Sequence, residues 1–285
     1  MKFKQTFITI CLMLFGAIVS QAQELKSFMD DNGKFGYRDE NGKTIIAPIY
    51  EAAYSFSEGL GAVKRNGKFG FISKEGKVVI AHKYDGAFGF SEDLAVVEIN
   101  GKYGFIDKTG KMVIAPQYDM ALDFKEGLAA FRQNEKFGFI NKTGKVAIAP
   151  EFGYALSFSE GLAIVVLNDK YGFINHTGEF VIKPQYDKAN SFSEGLASVK
   201  QSGKYGFIDR TGKMAIEPEY NEVGQFSEGL TFAELNGKVG FIDQTGKIII
   251  PLKYDIAGSF KNGRATVLLN DKEFHIDKTG KEIED

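Results

Sequence analysis

Asp-x-Thr-Gly recurs at Asp107, Asp209, Asp243 and Asp277. Aspartic proteases activate water with a carboxylate in an Asp-Thr-Gly triplet. Here a residue intervenes, and each copy sits where a tight turn is expected, so the aspartate reads as the residue that opens the turn. Lys-Thr-Gly at Lys108, Lys142 and Lys278 has the form of a β-lactamase element, but the sequence holds no Ser-x-x-Lys partner for it. Gly101-x-x-Gly104 is too short to cradle a phosphate and runs into a strand pattern. Asn141-Lys142-Thr143 and Asn175-His176-Thr177 are glycosylation sequons in which asparagine replaces the turn aspartate. The histidines, His82, His176 and His275, occupy three different positions of a repeat, which argues against a shared metal site. Glu58, Glu92, Glu126, Glu160, Glu194 and Glu228 form one column that would line an edge of the molecule. Solvation of a turn is the preferred reading of that column, and a weak cation or basic-partner surface is the alternative. No catalytic, cofactor-binding or metal-ligating residue is assigned, and no cofactor is implied.

The elements that must position these residues come from a repeat of 34 residues. Full units start at Gly33, Gly67, Gly101, Glu135, Asp169, Gly203 and Gly237, and a shortened eighth runs from Asp271 to Asp285. Glycine fills positions 36, 70, 104, 138, 172, 206 and 240, and again 42, 76, 110, 144, 178, 212, 246 and 280. Phenylalanine fills 56, 90, 124, 158, 192, 226 and 260. Within the third unit, alternation predicts strands over 102–107, 112–118 and 128–131. Asp107 to Gly110 predicts a tight turn in which Gly110 takes a positive φ. Pro116 predicts a bend or a sheet edge. Asn-Gly at Asn66, Asn100 and Asn236 predicts two-residue hairpins between one unit and the next. In the last unit the pattern decays, with Glu273 in the aromatic column, as expected of a capping unit.

Composition is globular, with 44% hydrophobic and 25% charged residues, no tryptophan and 33 glycines among 285 residues. Residues 1–22 read as a secretory signal peptide. Lys2 and Lys4 precede an apolar run from Phe7 to Val19, too short to span a bilayer comfortably, and small residues at Ser20 and Ala22 predict cleavage after Ala22. Cys11 lies within that segment, so the mature chain, 23–285, has no cysteine to form a disulfide. Losing Lys2 and Lys4 takes the formal charge from −2 to −4, which leaves no electrostatic footprint for nucleic acid.

From Lys204 to Leu230 the chain reads K-Y-G-F-I-D-R-T-G-K-M-A-I-E-P-E-Y, then F-S-E-G-L. This phrase, iterated over 33–285, resembles the WG-repeat family of bacterial exported proteins. The tryptophan that names the family is replaced by Phe35, Phe69, Tyr103, Phe137, Tyr171, Tyr205 and Val239. The resemblance implies a structural or binding repeat without an assigned chemistry.

The expected fold is all-β: a single domain of seven three-stranded antiparallel units plus the truncated eighth, in an open, solenoid-like or curved array. A closed β-propeller is the alternative. If every strand paired in one continuous sheet, each unit would add roughly 14 Å. The expected function is that of an exported, non-catalytic binding or scaffold surface for protein, peptide or glycan in the cell envelope, periplasmic, outer-surface or secreted. The alternatives are a glycan or cell-wall hydrolase, which needs a carboxylate pair facing a cleft, and a purely structural surface component. Neither nucleic acid nor a membrane span of the mature chain is expected.

Overall fold

The computed structural model of the protein describes residues 24–283; the expected signal segment and its cleavage site lie outside them. The chain forms eight small antiparallel sheets in sequence order. The first has three strands, Lys26–Met29, Phe35–Arg38 and Thr44–Tyr50. Each later sheet has four. The third comprises Gly86–Ser91, Leu94–Ile99, Lys102–Asp107 and Met112–Tyr118, and the fourth Met120–Ala121, Leu128–Gln133, Lys136–Asn141 and Val146–Phe152. The three strands expected of each unit are therefore present, joined by a short fourth strand that alternation could not reveal, because in most sheets it is two residues long.

Turn chemistry fixes where each sheet begins and ends. Asn100 and Gly101 both take positive φ, 52° and 73°, which suits a two-residue hairpin whose twist matches its strands. The hairpin joins the last strand of one 34-residue unit to the first of the next, so each sheet straddles a unit boundary. Gly110 has φ 82° and its N–H donates to the Asp107 carbonyl at 2.9 Å, closing the next turn; the other seven glycines of its column are also at positive φ. Pro116 lies on the outer edge strand, at a register shift between Tyr103↔Tyr118 and Phe105↔Ile114. That bulge folds onto Gly104, where an added Cβ would sit 2.5 Å from the Ile114 carbonyl oxygen.

Neighbouring sheets pack on one another and are not extended edge to edge. Tyr84 ends one sheet and Gly86 opens the next, so the rise of a single continuous sheet does not arise. Both faces of an interior sheet are consequently apolar. Phe105 packs with Ala121, Phe124 and Phe131 of the following sheet, while Ile106 packs with Phe71, Ile80 and Tyr84 of the preceding one. Strand packing of this kind links each sheet to its sequence neighbour, and among the described residues the first and last sheets share no comparable packing. No described helix is long and apolar enough to cross a membrane.

Candidate functional site: a cavity where five sheets converge

The invariant columns build the seams. Phe90, Phe124, Phe158, Phe192, Phe226 and Phe260 are at most 3% exposed, and Phe56 is half-buried. Each ring meets an aromatic ring of the preceding sheet: Phe90 on Phe71 with centroids 5.0 Å apart, Phe158 on Phe139 at 5.0 Å, Phe260 on Phe241 at 4.8 Å. The partners come from the same 34-residue unit but from successive sheets. Serine after the phenylalanine ties the seam further: Ser91 Oγ donates to the Phe124 carbonyl at 2.7 Å and Ser193 Oγ to that of Phe226 at 2.8 Å.

The glutamate column is neither idle solvation nor an open cation surface. Each of these glutamates sits at a two-residue hairpin with φ between 50° and 56°, a strained region for a side chain without amide or glycine character. Its carboxylate accepts a backbone N–H from the equivalent turn of the next sheet: Glu92 from Gly127 at 3.0 Å, Glu160 from Gly195 at 2.9 Å, Glu228 from Gly263 at 2.9 Å. A lysine from that sheet's Asp/Asn-Lys-Thr-Gly turn completes the clamp in several seams. Lys108 lies 3.0 Å from Glu58, Lys142 3.1 Å from Glu92 and Lys278 3.1 Å from Glu228. Burial raises the Glu58 carboxyl, but Lys108 and the N–H groups of Asp93 and Glu92 outweigh it and hold the group below the usual range. Lys278, then the Gly263 N–H, hold Glu228 low. Asn262, which tolerates positive φ more readily, takes this position in the last sheet.

The motif-like triplets are turns. Asp107 Oδ1 accepts from Thr109 Oγ1 at 2.6 Å and from the N–H groups of Thr109 and Lys111. Asn141 and Asn175 hold Thr143 and Thr177 in the same way. His82 is half-buried near Tyr50, with Nε2 unpartnered, and burial lowers its pKa. His176 stacks on Phe158 at 4.2 Å and reaches Glu126, and His275 bonds Thr266. The three are far apart in the sheet order, and the described residues hold no cluster of three or more metal-ligating side chains.

What the motif search missed lies between the invariant columns. Residues in and just after the first strands of sheets three to seven converge on one cavity of about 900 Å³. Its wall includes Phe88, Tyr103, Met120, Leu122, Asp123, Leu156, Ser157, Ser191 and Gln225. Phe88 and Met120 are 46% and 39% exposed. Three positions that precede the invariant phenylalanine contribute about half of this wall, and in these the units differ; the recurring columns contribute Phe158, Phe192, Glu92, Glu126, Ser159 and Ser193. The three differing positions read Ala52, Gly86, Met120, Tyr154, Lys188, Glu222 and Ile256; then Tyr54, Phe88, Leu122, Leu156, Asn190, Gly224 and Gly258; then Ser55, Gly89, Asp123, Ser157, Ser191, Gln225 and Ser259. Divergence beside an invariant residue was the available signal. Asp123 is half-buried, burial raises its carboxyl against the opposing effect of Lys125, and no described group hydrogen-bonds or ion-pairs with that carboxylate. The cavity's other carboxylates, Glu92 and Glu126, are held by the seam clamps.

The aromatic residues at the family's tryptophan position are half-buried at Phe35, Tyr103 and Tyr171 and buried at Phe69, Phe137 and Tyr205. They are seam residues in the main, with Tyr103 alone of this column on the cavity wall.

Among solved structures, the chain is similar to the crystal structure of the eukaryotic initiation factor, at TM-score 0.60 and 14% identity, covering 92% of this chain and 84% of that one. It is also similar to the dihydro-heme d1 dehydrogenase NirN in complex with DHE, at TM-score 0.53 and 12% identity, covering 92% and 72%. At these identities the likeness is one of fold alone. No curated protein matches the sequence at a significant level. The WG containing repeat matches seven times in succession, at residues 35–69, 69–103, 103–137, 137–171, 171–205, 205–238 and 240–272. With the repeat matched along nearly all of its described length, the chain belongs to the WG containing repeat family.

Proposed function

We propose that the protein is an exported, non-catalytic binding or scaffold protein of the cell envelope, and that the five-sheet cavity is its ligand surface. One observation carries this reading: the divergent columns supply about half of the cavity wall. A residue that serves a seam must recur at every seam, as Phe124 and its equivalents do. A residue that serves one ligand has no such obligation, and beside the recurring Phe158 and Phe192 the wall presents Phe88, Met120, Asp123 and Gln225, at positions that differ from unit to unit. Burial of the invariant phenylalanines removes the repeated stacking platform that glycan binding would use, and so favours protein or peptide. The hydrolase reading loses ground because Glu92 already holds the Gly127 N–H and Lys142, and Glu126 the Gly161 N–H and the His176 ring, leaving Asp123 without a second free carboxylate among the described wall residues.

Site-specific photo-crosslinking tests the location. A benzophenone side chain at Phe88 should label an envelope partner, whereas one at Val79, exposed on the outer edge strand, should not. Labelling from Val79 alone would move the binding surface to the outside of the array.

A further inference from the structure

Resting on the reading of the cavity as a peptide site, we propose that it selects a peptide segment with a basic side chain, lysine or arginine, whose cation pairs with Asp123 while apolar neighbours lie against Phe88, Met120, Leu122 and Leu156. Asp123 stands where four other units carry serine, and two of these, Ser157 and Ser191, flank it from the two following sheets. Its carboxylate is half-buried on the wall with no hydrogen bond or ion pair among the described residues, and the charge of Lys125 only partly offsets the cost of its burial. The other polar groups nearby are largely committed. Ser159 and Ser193 donate to the carbonyls of Phe192 and Phe226, and Gln225 donates to that of Ser191 at 3.3 Å. Asp123 is left as the charged acceptor on the wall that a cation can meet. Lys125, the lone cation among the described residues of the wall, is exposed, and its long stem carries the charge toward solvent. The apolar side chains Phe88, Met120, Leu122 and Leu156 come from three consecutive sheets and give the ligand a hydrophobic flank beside the charge. The volume matches a few residues of peptide.

The test uses capped tripeptides, N-acetyl-Leu-X-Phe-amide with X as Lys, Arg, Gln or Glu, titrated calorimetrically into the mature protein at neutral pH. The Lys and Arg peptides should bind at least about tenfold more tightly than the Gln peptide, in keeping with a charge-assisted hydrogen bond. Asp123→Asn should reduce them to the Gln level without lowering the melting temperature, and Asp123→Lys should turn the preference toward Glu. Lys125→Gln, the control, should preserve the preference for a base. Equal binding of the Lys and Gln peptides, or a preference that survives Asp123→Asn, would overturn the proposal while leaving the cavity as a peptide site. Failure of every peptide to bind, together with no crosslink from Phe88, would overturn both.

Discussion

Gly144 shows how much one residue type carries in this fold. Its φ of 82° is open to glycine, and a Cβ built there would lie 3.3 Å from Ile114 of the preceding sheet. Gly144→Val therefore meets backbone strain and a seam contact together, and should destabilise by about 1–3 kcal/mol. Lys145→Ala beside it should change stability by less than about 0.5 kcal/mol. Chemical denaturation of the two variants checks this, and equal midpoints would refute the turn assignment. Asp123 presents the opposite case, a residue that the fold does not need. Burial raises its pKa, so its ionised form opposes folding above the folded-state value, and that cost fades as pH falls from the folded-state value to the unfolded one, below which it is gone. Asp123→Asn should accordingly melt slightly higher than wild type at pH 7, with the gap closing toward pH 4. A variant that melts lower at pH 7 would show that the carboxylate has a structural partner.

A sheet in this array cannot bury its own faces. Its apolar residues point to both sides, and each side is covered by a different neighbour, as Phe105 and Ile106 show from adjacent positions on one strand. The invariant phenylalanine closes the joint. Phe158→Ala should cost about 3–5 kcal/mol, because it leaves a void between the fourth and fifth sheets in the middle of the array. Phe260→Ala opens the joint before the last sheet, which among the described residues shares with the first no packing comparable to that between sequence neighbours. It should release mainly that sheet and shift the global midpoint less. Denaturation with hydrogen exchange on both variants reads the difference. Equal global losses would mean that the ends support one another as in a closed ring, and an unchanged Phe158→Ala would refute the seam.

Over the whole molecule the glutamate clamps act in series. The carboxyls of Glu58 and Glu228 are held low, so the stability they contribute is present above the ordinary glutamate value, near about 4.3, and is lost as pH falls through the lowered folded-state values. The turn aspartates Asp107, Asp209, Asp243 and Asp277 are also held low, chiefly by the threonine hydroxyl two residues on, and their contribution has the same sign. The melting temperature should be flat between about pH 6 and 8 and fall steeply below about pH 4. Glu228→Gln, which keeps an acceptor but loses the charge, should flatten part of that fall. A variant whose acid transition matches wild type would show that this clamp adds nothing to the pH response.

The repeat, its strands and its turns were legible in the amino-acid sequence because each depends on local physics. Asn-Gly must turn, Gly110 must take a positive φ, alternating residues must form strands, and a phenylalanine present at every joint must serve the joint. The two-residue first strand at Met120–Ala121 was not legible, since so short a segment carries no period and is ordered only by pairing with Phe131 and Arg132. The partner of Glu92 was hidden for a related reason: the N–H of Gly127 lies 35 residues away and reaches the carboxylate only after two sheets stack. The cavity was the least legible feature. Phe88, Asp123, Ser157, Ser191 and Gln225 come from five units and look like scattered substitutions along the chain. Only the stacking of successive sheets brings their loops to one place, because convergence depends on the angle between sheets, which long-range packing sets and local sequence does not encode.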